Sequence, residues 1–169
     1  LTDPIATPPT IRRPLWRRWL PVAVWLAVIF VASTALFTPE HTSAIIDPVL
    51  RALFPHADAS QIDRLHLLVR KAAHVVEYAI LAILLARATL AIAQLRLWWF
   101  AVSLLLLALV AASDEFHQYF VHGREASIRD VLLDIAGGVA ALIPIAICRQ
   151  LGVLKPRDTL PPEENHRLH

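Results

Sequence analysis

Three short strings of ionisable and polar residues interrupt otherwise apolar sequence in this chain. The first places Lys71, His74, Glu77 and Tyr78 at i, i+3, i+6 and i+7. At 100° per residue these four cover an arc of about 120°, one face of a helix. The second, Asp114, Glu115, His117 and Gln118, closes a long apolar run, and Asp114 and Gln118 share a face at i, i+4. The third follows a Gly123-Arg124 turn. There Ser127-x-x-Asp130 is a helix-opening pattern, and Asp134 lies one turn deeper, ahead of Gly137-Gly138.

Charge limits what such a set can do. Lys71 and Arg124 oppose Glu77, Asp114, Glu115, Asp130 and Asp134, a formal sum of −3. Carboxylates are costly to desolvate, so five of them cannot all stay ionised and unpaired in a dry site. Shared protons, a bound cation or access to water would each relieve the excess. Carboxyls that share protons make acids and bases, which nominates Glu77 and Glu115 as catalytic candidates with His74 setting their charge state. Lys71, Tyr78, Asp114, Gln118, Arg124, Asp130 and Asp134 are the candidate ligand-binding residues. His-x-x-Glu can offer two metal ligands on one helix face. No spacing is diagnostic of a metal, and there is no zincin, nucleophile-elbow or phosphate-loop motif. No cofactor is identified, a divalent cation stays open, and catalysis itself is left undecided.

Plainer roles compete with these. Asp130 can serve as the N3 partner of Ser127. Arg70 and Arg129 can snorkel to a membrane interface. Gly137-Gly138 suits close helix packing, and Trp98-Trp99 suits an interfacial belt. His41, His56 and His122 read as loop residues. The whole set can also be a structural ion-pair network.

The elements that must position these residues follow from composition. The chain has 169 residues, 57% hydrophobic and 18% charged, and its mean hydropathy is +0.55. Soluble domains carry about 25% charge. The excess apolar residues fall into four runs, 20–37, 65–86, 97–113 and 131–148. Eighteen helical residues span about 27 Å, close to the hydrocarbon thickness of a bilayer. The expected fold is therefore all-α, a multi-pass membrane protein with four transmembrane helices. Residues 43–54 carry apolar side chains on one helical face and are expected to add a short interfacial helix, with Pro48 in its first turns. Ser60-Gln61-Ile62-Asp63 reads as a capping box that starts the second span. Residues 1–19 and 150–169, rich in Pro and charge, read as tails around a membrane domain at 20–149. A cleaved signal peptide is the rival reading of the first run. The cations, mostly Arg, form no stripe of the kind that binds nucleic acid. The lone Cys148 excludes an internal disulfide framework.

Four spans put both termini on one side. The tails and the middle loop hold ten Lys and Arg, against six on the other side, Arg70 and Lys71 of the second run among them. The positive-inside rule then places both termini in the cytoplasm and the two polar loops outside. The second span starts, the third ends and the fourth starts at that outer face, so the three polar strings are expected to converge there.

At this point the residues resemble a known family. Arg70-Lys71-x-x-His74-x-x-Glu77-Tyr78-x-x-Leu81 is similar to the signature of the VanZ-like membrane proteins. So is Ser113-Asp114-Glu115-x-x-Gln118-x-Phe120-x-x-Gly123-Arg124, followed by Asp130 and Gly137. The resemblance covers roughly residues 65–147. Asp134 departs from it, since the family often has Asn there. The resemblance implies a multi-pass protein of the bacterial cytoplasmic membrane, whose namesake is associated with resistance to the lipoglycopeptide teicoplanin. It implies no reaction. The expected function is binding or modification of an amphiphile in the outer leaflet, either a lipid-linked headgroup or a lipoglycopeptide, in antibiotic resistance or envelope homeostasis. Membrane lipids are the expected surroundings, and nucleic acid is not an expected partner. A non-catalytic envelope partner protein and a small proton- or cation-coupled carrier are the alternatives. The carrier is disfavoured by the purely apolar stretch between Tyr78 and Arg87.

Overall fold

The structure is a computed structural model that describes residues 14–33, 39–120 and 127–153. Among these there are five α-helices and no strand. They are α1 (Trp16–Ala32), α2 (Pro39–Leu53), α3 (Ala59–Leu90), α4 (Trp99–Gln118) and α5 (Ile128–Gln150), with a 3₁₀ turn at Ala93–Leu95. α3, α4 and α5 are each long and apolar enough to cross a membrane, and they mark a membrane protein. α1 has 17 residues, and the end of the first apolar run, residues 34–38, lies outside the described residues. It begins at Trp16, ahead of the apolar run, and carries Arg17 and Arg18 in its first turn.

α3 is the hub. It packs on all four other helices, most extensively on α5, and α4 packs on α5. Its start differs from the expected capping box. Asp58 is the N-cap, its carboxylate accepts from Gln61 N–H at 2.9 Å, and Gln61 Oε1 accepts from Asp58 N–H at 3.0 Å. Ser60 donates its hydroxyl to Asp58 at 2.8 Å instead of capping toward Asp63. Asp at Ncap with Gln at N3 satisfies two orphan donors at once, so the helix starts two residues earlier than a Ser60 cap allows.

The core holds small and branched residues from four helices, including Val22 and Ile29 of α1, Leu81, Ala82 and Leu85 of α3, Leu107 and Ala111 of α4, and Leu142 of α5. Two glycines set the spacing. A Cβ on Gly137 would sit 2.8 Å from the main-chain oxygen of Val75, and one on Gly138 would sit 2.2 Å from Leu107 Cδ2. The pair therefore serves close packing of α5 on α3 and α4, as small residues do in membrane bundles. Outside the core, α3, α4 and α5 expose Val76, Ile83, Leu105, Leu109, Leu132, Ile143 and Ile147. In water such a belt would aggregate; against lipid it is the ordinary outer surface.

α1 and α4 run antiparallel to α3, and α5 runs parallel to it, which fixes the two ends of the bundle. At one end Arg18 donates to the carbonyl of Ala91, and the Arg149 guanidinium lies 5.6 Å over the Trp99 ring. The helix ends nearest both chain termini therefore share this end. Thr89 and Ser103 hydroxyls meet at 3.1 Å just inside it. Trp98 is exposed, as a belt residue would be. Trp99 is not a belt residue: it is 7% exposed and packs in the core edge-on to Phe100.

α2 is a helix, but Pro48 lies in its middle and not in its first turns. The helix begins at Pro39, earlier than the apolar pattern at 43–54 suggests. Asp47 of α2 contacts His66 of α3, and Leu50 is buried. α2 thus docks on the first turns of α3.

Candidate functional site

The three polar strings meet at the opposite end of the bundle from Arg18 and Arg149, and each helix contributes for a local reason. α3 presents Lys71, His74 and Tyr78 toward α4 and α5 because these positions follow its helical period. α4 continues past its apolar run to Gln118, so Asp114, Glu115 and Gln118 are helical and buried. α5 opens at Ser127, whose hydroxyl accepts from Arg129 N–H at 3.2 Å. That start sets Asp130 in the first turn and Asp134 one turn below.

The contacts are specific. Lys71 Nζ donates to Asp130 Oδ1 at 2.7 Å. Asp130 thus ties α5 to α3 and is not a partner to the Ser127 cap. Gln118 Nε2 donates to Asp114 Oδ2 at 2.9 Å within α4. Glu115 Oε1 accepts from the main-chain N–H of Ser127, so this carboxylate satisfies an orphan donor at the start of α5. His74 Nδ1 faces Asp134 Oδ1 at 3.5 Å. The His74 ring, Asp114 and Asp134 each bring one nitrogen or oxygen to a common point, all within 4.8 Å of one another.

Two buried atoms of this cluster make no hydrogen bond: Asp134 Oδ1 and the hydroxyl of Tyr78. Asp134 is 2% exposed and Tyr78 is fully buried. Leaving a buried acceptor unsatisfied costs about 1–3 kcal/mol, and more when it is charged. Apolar Leu81 and Ala82 lie one turn beyond Tyr78 and are fully buried. The cluster is therefore sealed on its inner side. On its outer side a narrow cleft, lined by Arg70, Lys71, His74, Gln118, Asp130, Leu133 and Asp134, has a volume of about 10 Å³, the room of one water.

The expected site residues thus divide. Lys71, His74, Tyr78, Asp114, Glu115, Gln118, Asp130 and Asp134 come together at one end of α3, α4 and α5. Glu77 is half-buried near His74 and Tyr78. Its main-chain carbonyl accepts from Trp25 Nε1 of α1 at 2.9 Å. Arg124, the Gly123-Arg124 turn and His122 lie outside the described residues, as does the side chain of His41. Arg70, expected to snorkel, and His66, given no expected role, lie near the site. Arg70 lines the cleft, and its place next to Lys71 in the first motif was the available signal. His66, one turn before Arg70, meets Asp47, a contact between distant positions that no local pattern announces.

The arrangement can place cationic groups at the mouth of a cleft, hold carboxylates in fixed orientations and offer mixed nitrogen and oxygen donors. No curated protein and no solved structure matches the chain significantly. The family model described as VanZ/LLP1 matches residues 18–149, which include most of α1, all of α2 and every described residue of the polar cluster. A match over most of the chain, with the family's polar motifs gathered into one site, makes this protein a member of the VanZ/LLP1 family.

Proposed function

We propose that this protein is a four-span protein of the bacterial cytoplasmic membrane that binds or modifies an amphiphile with an anionic headgroup. α1 is the fourth span, α2 lies in the outer interface, and both termini are cytoplasmic. The observation that carries the reading is the cleft, which is lined by Arg70 and Lys71 together with half-buried His74 and buried Asp134, with buried Asp114 beside them. Arg and Lys suit a phosphate or carboxylate headgroup, while the lipid-facing sides of the helices suit its acyl chains. A lipid-linked envelope precursor and a lipoglycopeptide such as teicoplanin both have this chemistry. Glu77 and Glu115 are the acid/base candidates, with Glu77 one turn from His74 on α3 and Glu115 accepting from Ser127 N–H.

Native mass spectrometry of the protein released in mild detergent tests this. Wild type is expected to retain an anionic amphiphile, and Arg70→Gln to lose most of it while keeping its helix content. A wild type that carries none, and takes up none when anionic lipid is added, would leave the cluster as a structural network joining three helices.

A further inference from the structure

We propose that His74, Asp114 and Asp134 hold one divalent transition-metal cation, with its remaining positions open to water on the cleft side. This rests on the geometry of the cluster and not on the ligand reading above. Each of α3, α4 and α5 supplies one donor, and the three donor atoms lie within 4.8 Å of one another. The 3.5 Å between His74 Nδ1 and Asp134 Oδ1 subtends about 110° at an ion 2.1 Å from each, close to the tetrahedral angle. With donors as far as 4.8 Å apart, bringing the third to the same distance takes a closure of about an ångström.

A second, independent observation points to the ligand. Asp134 is 2% exposed and its Oδ1 makes no hydrogen bond, yet that atom is directed into the cluster. Its neighbour His74 Nδ1, at 3.5 Å, makes no hydrogen bond to it and can serve as a second donor to the same cation. The neighbouring contacts fit the same role. Gln118 holds Asp114 Oδ2, orienting that carboxylate, and outer hydrogen bonds of this kind keep metal ligands in place. Lys71 holds Asp130, which keeps another carboxylate out of the donor set. The cleft has the room of one water beside His74 and Asp134. One imidazole and two carboxylates favour Zn²⁺ or Mn²⁺ over Cu⁺, which takes thiolates.

The test titrates Zn²⁺ and Mn²⁺, each alone, into chelator-treated full-length protein in mild detergent. One equivalent of one of these ions is expected to bind. Asp134→Asn and His74→Gln are each expected to weaken binding by more than about tenfold, the loss that removing an outer hydrogen bond already produces. Ser103→Ala, at the other end of the bundle, is expected to bind as wild type does. X-ray absorption on the loaded wild type, which needs no variant to fold, is expected to find one imidazole in the ligand shell. No saturable binding of either ion would overturn the proposal. So would a shell without imidazole, or unchanged affinity in variants that keep their helix content.

Discussion

Replacing Gly137 by Ala sets two physical effects of opposite sign against each other. Helix propensity alone favours Ala by at most about 1 kcal/mol. The structure opposes it, because the new Cβ would lie 2.8 Å from the main-chain oxygen of Val75, where ordinary contact begins at 3.4 Å. The obstacle is backbone, so no side chain can turn aside and α5 must retreat from α3 by about 0.6 Å. Overpacking of this kind costs about 1–3 kcal/mol. The net expectation is a loss of about 1 kcal/mol, roughly a fivefold change in the unfolding equilibrium. Gly138→Ala meets only the Leu107 side chain, which can shift, so its loss is expected to be smaller. Reversible unfolding by SDS titration in mild detergent, followed by circular dichroism, measures both. Gly137→Ala as stable as wild type, or more stable than Gly138→Ala, would refute the close α3–α5 approach. That approach sets the site, since Val75 adjoins His74 and Gly137 lies one turn below Asp134.

Further outcomes follow from the ion pair and from the cap of α3. Lys71→Gln and Asp130→Asn are each expected to lower stability by about 1 kcal/mol or less, because both side chains are partly solvated. The double variant is expected to lose no more than either single one in the same SDS titration, and additive losses would mean the two groups do not act as a pair. Asp58→Ala is expected to speed hydrogen exchange at the Gln61 and Ile62 amides. Hydrogen bonds from Gln61 N–H and the Ser60 hydroxyl hold the Asp58 carboxyl below the usual carboxylate range. A depressed acid contributes stability above its unfolded pKa and loses it as pH falls through the folded value. The first turn of α3 should therefore keep its full protection above the ordinary carboxylate range and lose it progressively as pH falls from there through the lower folded value. Fraying near neutral pH would mean that Asp58 is not the cap.

Much of the site was legible in one dimension because helical periodicity is a local property. The i, i+3, i+7 spacing puts Lys71, His74 and Tyr78 on one face whatever packs against it. The interruption of apolar runs by carboxylates marks positions too costly to leave without a role. The order of the runs was enough to bring the three strings to one end. The Gly137-Gly138 pair read as a packing device, and the obstructed Cβ positions agree. Local errors arose where two local signals competed. Asp58 and Ser60 both precede a helix, and only the backbone chooses between them. Trp98 and Trp99 are adjacent and alike in chemistry, yet a 100° turn sends one outward and the other under Arg149.

The sequence by itself determined the all-helical class, the apolar lengths of α3, α4 and α5, the family and the faces that carry charge. These depend on composition and on a period of 3.6 residues, both written along the chain. Only the tertiary structure decided the pairings between helices: Lys71 with Asp130, Glu115 with the start of α5, and His74 facing an Asp134 whose Oδ1 lacks a hydrogen bond. Those depend on the rotation and separation of helices about one another. That geometry is set by Cβ-free contacts at Gly137 and Gly138 and by the core at Leu81, Leu107 and Leu142. Contacts between residues so far apart in the chain leave no periodic trace in it.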